Sequence, residues 1–148
     1  MRMDKRKFII HTDGGARGNP GPAAIGVVIE EAGGGLRKEY GEYIGETTNN
    51  EAEYQAVIFA LKKLKQLIGK KAAKEAKVEV CVDSELLERQ LGGRYKIMGR
   101  KLQEFFLEIW NLKVDFWEVV FKHLLRDKNK EADKLVNAAL DKELNKLI

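Results

Sequence analysis

The segment FIIHTDGGARGNPGPAAIG, residues 8–26, decides how the rest of the chain is read. An apolar run ends on one acid, Asp13. Glycines 14, 15, 18 and 21 and both of the chain's prolines follow before apolar residues resume at Ala23. Such a stretch is either a glycine-rich cradle for a phosphate or a turn built around Asp13. A P-loop ends in Lys-Ser/Thr and a dinucleotide loop carries G-x-G-x-x-G. Neither pattern is present, and the residues after the turn read as a strand, so no helix N-terminus points at the loop. Asp13 is therefore the residue to follow. The glycines and prolines are expected to let the chain leave Asp13 sharply, and to keep bulk away from a closely approaching ligand.

Working outward, Lys7–Asp13 reads as a strand. Ala24–Glu30 and Leu36–Ile44 are two more, joined by a short turn with three glycines, so a three-strand antiparallel meander is expected. Thr48 with Glu51 matches a capping box. It opens a helix that is apolar nearly all round, hence buried, and that ends at Gly69. Lys70–Lys77 is a lysine-rich connection, either a solvated helix end or a loop. Val78–Asp83 is a buried strand, Ser84–Leu91 a short helix stopped by Gly92 and Gly93, and Arg100–Leu112 a further helix. Val114–Lys122 reads as a strand. Asp127 is the expected cap of a last helix with the stripe Ala132, Leu135, Val136, Ala139, Leu140, Leu144 and Leu147. The order βββαβααβα predicts an α/β domain with a mixed sheet covered by helices.

The bulk numbers bound the function. The 148 residues suit a single domain over 1–148, and 44% hydrophobic residues supply a core. No apolar run approaches the roughly 18 residues that span a bilayer. Met1–Lys7 is polar with no apolar segment behind it, so no secretory signal is expected. Cys81 is the single cysteine, which excludes a disulfide framework within one chain and points to a reducing, cytoplasmic setting. The net charge of +4 fits a polyanionic partner without requiring one.

Four acids stand where the pattern reads buried. Asp13 and Asp83 end apolar strands, and the carboxyl ends of strands carry sites in open α/β sheets. Glu53 lies in the first turn of the buried helix, in line with Ala56, Val57, Ala60 and Leu64. Asp133 opens the last helix, in line with Val136, Leu140 and Leu144. Two strand ends and two helix starts can meet at one edge of a sheet. Carboxylates gathered in a dry place need protonation, pairing or a cation. An all-oxygen set favours Mg²⁺ or Mn²⁺, and two such ions about 4 Å apart support in-line displacement at phosphorus. The residues alone leave the plainer reading open, since a strand-end aspartate also serves as a cap and a first-turn acid serves the helix dipole.

Four segments in one order, TDGGARGNPGP, TTNNEAEYQAV, VDSELL and KNKEADKLVNAAL, resemble type 1 ribonuclease H over roughly Lys7–Leu140. The resemblance implies a ribonuclease H-like fold: a five-stranded mixed sheet, three antiparallel strands then two parallel, flanked by helices. It implies endonucleolytic hydrolysis of the RNA strand of an RNA–DNA hybrid, leaving a 5′-phosphate and a 3′-hydroxyl. It implies a metal site of Asp13, Glu53, Asp83 and Asp133 holding two Mg²⁺ ions, with Mn²⁺ as a substitute and Asp13 shared between them. Asn19, Asn49 and Asn50 match positions that touch the hybrid, and Glu53 matches one that senses a 2′-hydroxyl. A histidine that assists product release falls on His123 by ungapped count from Asp133. Members with an arginine later in that loop place the role on Arg126; His123 is favoured over it here, and Arg126 stands as a substrate-contact candidate.

The chain departs from well-known members in two further respects. Glu85 stands where a glutamine often contacts nucleic acid, and a carboxylate cannot donate a hydrogen bond. The long basic protrusion is replaced by GGRYKIMGRK, as in short-form members. There Arg94, Lys96, Arg100 and Lys101, with Tyr95 among them, are candidates for DNA phosphates. The expected partner is the hybrid duplex, with no membrane, no small-molecule cofactor and a monomeric chain. The rival readings are an inactive hybrid- or RNA-binding module and a DNA nuclease or integrase-like enzyme of the same fold. Four intact acids speak against the first, because clustered negative charge does not help a pure binder near phosphates. The TDGG and TTNN segments together speak against the second.

Overall fold

The computed structural model describes residues 5–146, so Met1–Asp4 of the polar N-terminal segment and Leu147 of the last stripe lie outside the described residues. Strands β1 (Lys7–Ala16), β2 (Gly21–Glu31) and β3 (Arg37–Thr47) form the antiparallel meander. Helices α1 (Asn49–Ile68) and α2 (Lys70–Lys74) lead to strand β4 (Lys77–Val82). Helices α3 (Glu85–Leu91) and α4 (Arg100–Lys113) lead to β5 (Glu118–His123), and α5 (Lys130–Asn145) closes the order. The sheet runs β3-β2-β1-β4-β5, with β4 parallel to both β1 and β5. This is the expected five-stranded mixed sheet, and β1 lies where antiparallel pairing gives way to parallel.

The period-2 pattern of β1 explains the layering. Phe8 and Ile10 face one side and join Tyr54, Val57, Leu61 and Leu64 of α1 in the main core, with Ile109 of α4 behind them. The other side carries a smaller core in which Val136 and Leu140 of α5 meet Ala24. The capping box of α1 forms as expected. Thr48 Oγ1 accepts from Glu51 N at 3.2 Å, and Glu51 Oε2 accepts from Thr48 N at 3.4 Å. Among the described residues no helix is long and apolar enough to cross a membrane.

Several expectations need correction. Strand β1 does not leave sharply at Asp13. It continues through Gly14 and Gly15, which pair with Ile25 and Ala24, and β2 accordingly starts at Gly21. The turn proper is residues 17–20, closed by Arg17 N donating to Pro22 O at 2.8 Å. The glycines instead make room for helices. A Cβ on Gly14 would stand 2.3 Å from the Ala52 carbonyl oxygen of α1, and one on Gly26 would stand 2.1 Å from that of Ala132 in α5. Val114–Phe116 is not strand, because Val114, Asp115 and Phe116 donate back to Asn111, Leu112 and Lys113 and carry on the turn of α4. Asp127 lies in a 3-10 turn, Arg126–Lys128, and the cap position of α5 falls to Asn129.

Candidate active site

Asp13 lies one step before Gly14, and α1 rests on that glycine. This close approach carries Glu53, one residue beyond Ala52, toward the same end of the sheet. Gly26 pairs with Asp13 across the ladder and seats the start of α5, which brings Asp133. Asp83 follows the last residue of β4 directly. Four acids distant in sequence thus line one cavity of about 430 Å³, together with Asn49, Arg126, Arg17 and Asn137.

The four differ in setting. Asp13, Glu53 and Asp83 are half-buried, whereas Asp133 is exposed at the rim, contrary to the burial its stripe suggested. The first turn of α5 rests on the sheet through Ala132, and Asp133 beside it points into the open cavity that it shares with the other acids. Burial pushes the Asp13 carboxyl up to about 8, helped by the negative charges of Asp83, Asp133 and Glu53 and opposed by the Gly14 N–H, which donates to Oδ1 at 3.0 Å. Burial likewise pushes Glu53 up to about 7, with Asp83 adding to the rise. A hydrogen bond with Ser84 and the positive charge of Arg126 pull it back.

Among the described residues no three His, Cys, Asp or Glu side chains stand as a group set to hold an ion. The four carboxylates line one cavity. Their chemistry nonetheless fits a hard divalent cation: the donors are all oxygen, and the raised Asp13 and Glu53 mark a place short of positive charge.

The other predicted residues divide between this cavity and its neighbour. Asn49 lines the acid cavity, and its Oδ1 accepts from Ala16 N at 2.8 Å. Asn19 Oδ1 accepts from Asn49 N at 3.0 Å, so the turn after β1 is tied to the start of α1. Asn19 and Asn50 line an adjoining groove of about 430 Å³ with Thr48, Arg100 and Lys101. Arg126 lines the acid cavity. His123 ends β5 opposite Val82 and is not among the lining residues. His11 borders a separate cavity of about 190 Å³ beside the start of α5.

Glu85 is ion-paired with Arg89, and Arg94 with Glu88. The loop between α3 and α4 is further pinned by Gln90 Nε2 donating to Lys96 O at 3.2 Å and by Gln103 Nε2 donating to Ile97 O at 2.9 Å. Gln90 is itself held by the buried Tyr54 hydroxyl at 2.7 Å.

Sequence reasoning passed over Asn129. Its Nδ2 donates to Thr12 O at 2.9 Å and to Asp83 Oδ2 at 3.2 Å. The available signal was its place in KNKEAD, four residues before Asp133. Arg17 and Asn137 were passed over too. Arg17 reaches Asp141 at 2.8 Å and Asn137 Oδ1 at 3.3 Å, and Asn137 Nδ2 reaches Asp133 Oδ1 at 3.4 Å.

Residues 11–139 match the family described as reverse transcriptase-like. Among solved structures, LC11-RNase H1 in complex with an RNA/DNA hybrid is 51% identical, covers 93% of this chain and 99% of its own, and superposes with a TM-score of 0.86. RNase H1 from the halophilic archaeon Halobacterium salinarum is 36% identical over 92% of this chain and 98% of that structure, with a TM-score of 0.84. Among curated proteins, the ribonuclease HI of Halobacterium salinarum is 39% identical over 87% of this chain, and the bifunctional protein Rv2228c of Mycobacterium tuberculosis 35% over 91%. The chain belongs to the type 1 ribonuclease H family. It spans 62% of the length of the Halobacterium protein and 36% of that of the mycobacterial one.

Proposed function

We propose that this chain is a metal-dependent endonuclease that hydrolyses the RNA strand of RNA–DNA hybrids. The observation that carries the reading is the meeting of Asp13, Glu53, Asp83 and Asp133 in one cavity, in a chain 51% identical to an RNase H1 solved with a hybrid. The ribonuclease H family is metal-dependent in general. Here the four acids would hold two Mg²⁺ ions, or Mn²⁺ in their place, with Asp13 as the shared ligand. Bound divalent cations supply the charge that activates a water and stabilises the leaving oxygen in an in-line displacement at phosphorus. The water oxygen bonds to phosphorus as the bond to the 3′-oxygen breaks, which leaves a 5′-phosphate and a 3′-hydroxyl.

The chain's own groups position the substrate. Asn19 and Asn49 commit their side-chain oxygens to backbone N–H groups, which turns their amide nitrogens to ligand binding. Together with Asn50 they suit the sugar hydroxyls and base edges of a shallow minor groove. Glu53 reads a 2′-hydroxyl beside the scissile phosphate. Arg126, facing the acids, is the better placed of the two candidates for aiding product departure, and His123 is the second. Arg100 and Lys101 in the adjoining groove meet phosphates of the DNA strand. We read the chain as one catalytic domain acting as a cytoplasmic monomer.

The test is cleavage of labelled hybrid, RNA duplex and DNA duplex with Mg²⁺, with Mn²⁺ and with chelator. Cutting confined to the RNA of the hybrid and abolished by chelator is the expected result. Hybrid bound but left intact under every metal condition supports the inactive binding module, and efficient cutting of DNA duplex supports the DNA nuclease.

A further inference from the structure

Asn129 occupies the N-cap position of α5, where an asparagine ordinarily turns its side-chain oxygen onto the helix's free N–H groups. Here it makes no side-chain cap bond. The side chain is turned into the protein instead and is 1% exposed. Both protons of Nδ2 are used, one on the backbone oxygen of Thr12 and one on Oδ2 of Asp83. Both partners are acceptors, so the amide has only this orientation: flipped, it would set oxygen against two oxygens. The backbone oxygen of Asn129 meanwhile accepts from Asp133 N at 3.2 Å. A single residue is therefore bonded to the residue before Asp13, to the carboxylate of Asp83 and to the backbone of Asp133.

The arrangement carries a cost. Oδ1 of Asn129 is buried and has no hydrogen-bond partner among the described residues. A buried polar atom of this kind is destabilising where it stands, and an apolar side chain of the same size would avoid it. A side chain kept only to start a helix would cap that helix, and one kept only for packing would be apolar. Neither role accounts for a donor aimed at a carboxylate of the acid cavity.

We propose that Asn129 is a positioning residue for the acid cluster: its amide fixes the Asp83 carboxylate against β1 and sets its distance from Asp13 and Asp133 in readiness for cations. The inference rests on the proposed metal-dependent reading of that cavity. A donor locked onto one carboxylate oxygen orients the group and leaves its other oxygen for a cation.

The experiment compares the parent chain with Asn129→Leu, which keeps the branched heavy-atom skeleton and removes the donor, and Asn129→Ser, which cannot span both acceptors. Calorimetric titration with Mg²⁺ alone is read beside hybrid cleavage, and folding is checked by thermal melting. For a folded variant we expect Mg²⁺ affinity and kcat each to fall at least about tenfold, the lower end of the loss typical of an outer-shell partner. KM for the hybrid should stay within about twofold, since no substrate contact is removed. A folded variant with parental Mg²⁺ affinity and kcat overturns the inference and leaves the nuclease reading intact. If both variants lose the cooperative fold, Asn129 is structural and the inference falls. If the parent itself neither binds Mg²⁺ nor cuts hybrid, the reading of the site fails and takes the inference with it.

Discussion

Asp13 and Gly26 face each other across the β1–β2 ladder, and the Ala132 carbonyl of α5 lies where a side chain on Gly26 would go. The absence of that side chain lets α5 lie down beside Asp13. Gly41, paired with Gly26 in the next strand, extends the same bare track beneath Leu135.

The first prediction follows from that contact. Gly26→Ala must push α5 off the sheet, and overpacking of this kind costs about 1–3 kcal/mol. Cleavage should fall further than stability, because Asp133 moves with the helix. Gly15→Ala is the control for stability, since its Cβ would meet only Val136 Cγ1 at 3.7 Å. Thermal melts of both variants and cleavage by the first decide the matter; equal melting temperatures would remove the steric argument.

A second concerns Asp13→Asn, which should abolish cleavage yet stabilise the metal-free chain. Asp13 is pushed up to about 8 in the folded state, against about 3.9 when unfolded. Between those values the folded chain holds a proton that the unfolded chain has released, so its stability falls as pH rises from about 4 to about 8. The asparagine carries no such penalty. Urea unfolding in chelator should show the variant ahead by a margin that widens from pH 5 to pH 8, reaching about 2 kcal/mol once solvent screening is allowed for. A margin that does not vary with pH would count against the assigned titration.

The third separates Arg126 from His123. Arg126 lines the acid cavity and lowers Glu53, whereas His123 is not among the lining residues. Arg126→Ala should reduce kcat about tenfold, equivalent to one charge contact of about 1.4 kcal/mol. His123→Ala should stay within about twofold of the parent. The reverse order in steady-state assays would hand the role to His123.

Salt dependence provides the fourth. Each phosphate contact contributes about 0.9 to the log–log slope of affinity against salt. Arg100→Ala and Lys101→Ala, made in the Asp13→Asn background to prevent cutting, should each flatten the slope for hybrid by up to that amount. Arg94→Ala should leave it nearly unchanged, because Glu88 already neutralises that guanidinium. A loss at Arg94 equal to that at Arg100 would mean the ion pair opens on binding.

How much of this was legible beforehand differs by kind of feature. The sheet and most helices were, because alternation in β1 and the all-round apolar surface of α1 are written in neighbouring residues. The four acids stood out as charges interrupting those patterns. What the glycines at 14 and 26 do was not legible, since their partners, Ala52 and Ala132, are 38 and 106 positions away. Asp127 looked like the cap because its side chain suits one; the 3-10 turn moved the helix start two residues on, to where Asn129 stands. Asn129 escaped notice for another reason. Its partners, Thr12 and Asp83, are 117 and 46 positions away in the chain, so only its bonds reveal its use. The exposure of Asp133 was hidden because helical periodicity tells which way a residue points, not whether it meets packed side chains or an open cavity.

The order of the acids along the chain has a consequence for biosynthesis. Asp13, Glu53 and Asp83 are made early, but the cavity closes only when α5 docks on the β1–β3 face. A chain still attached to the ribosome short of α5 has three acids and no seat for the fourth. Cutting power on this reading arrives all at once, when α5 docks, and the onset of hybrid cleavage during refolding would time the docking of that single helix.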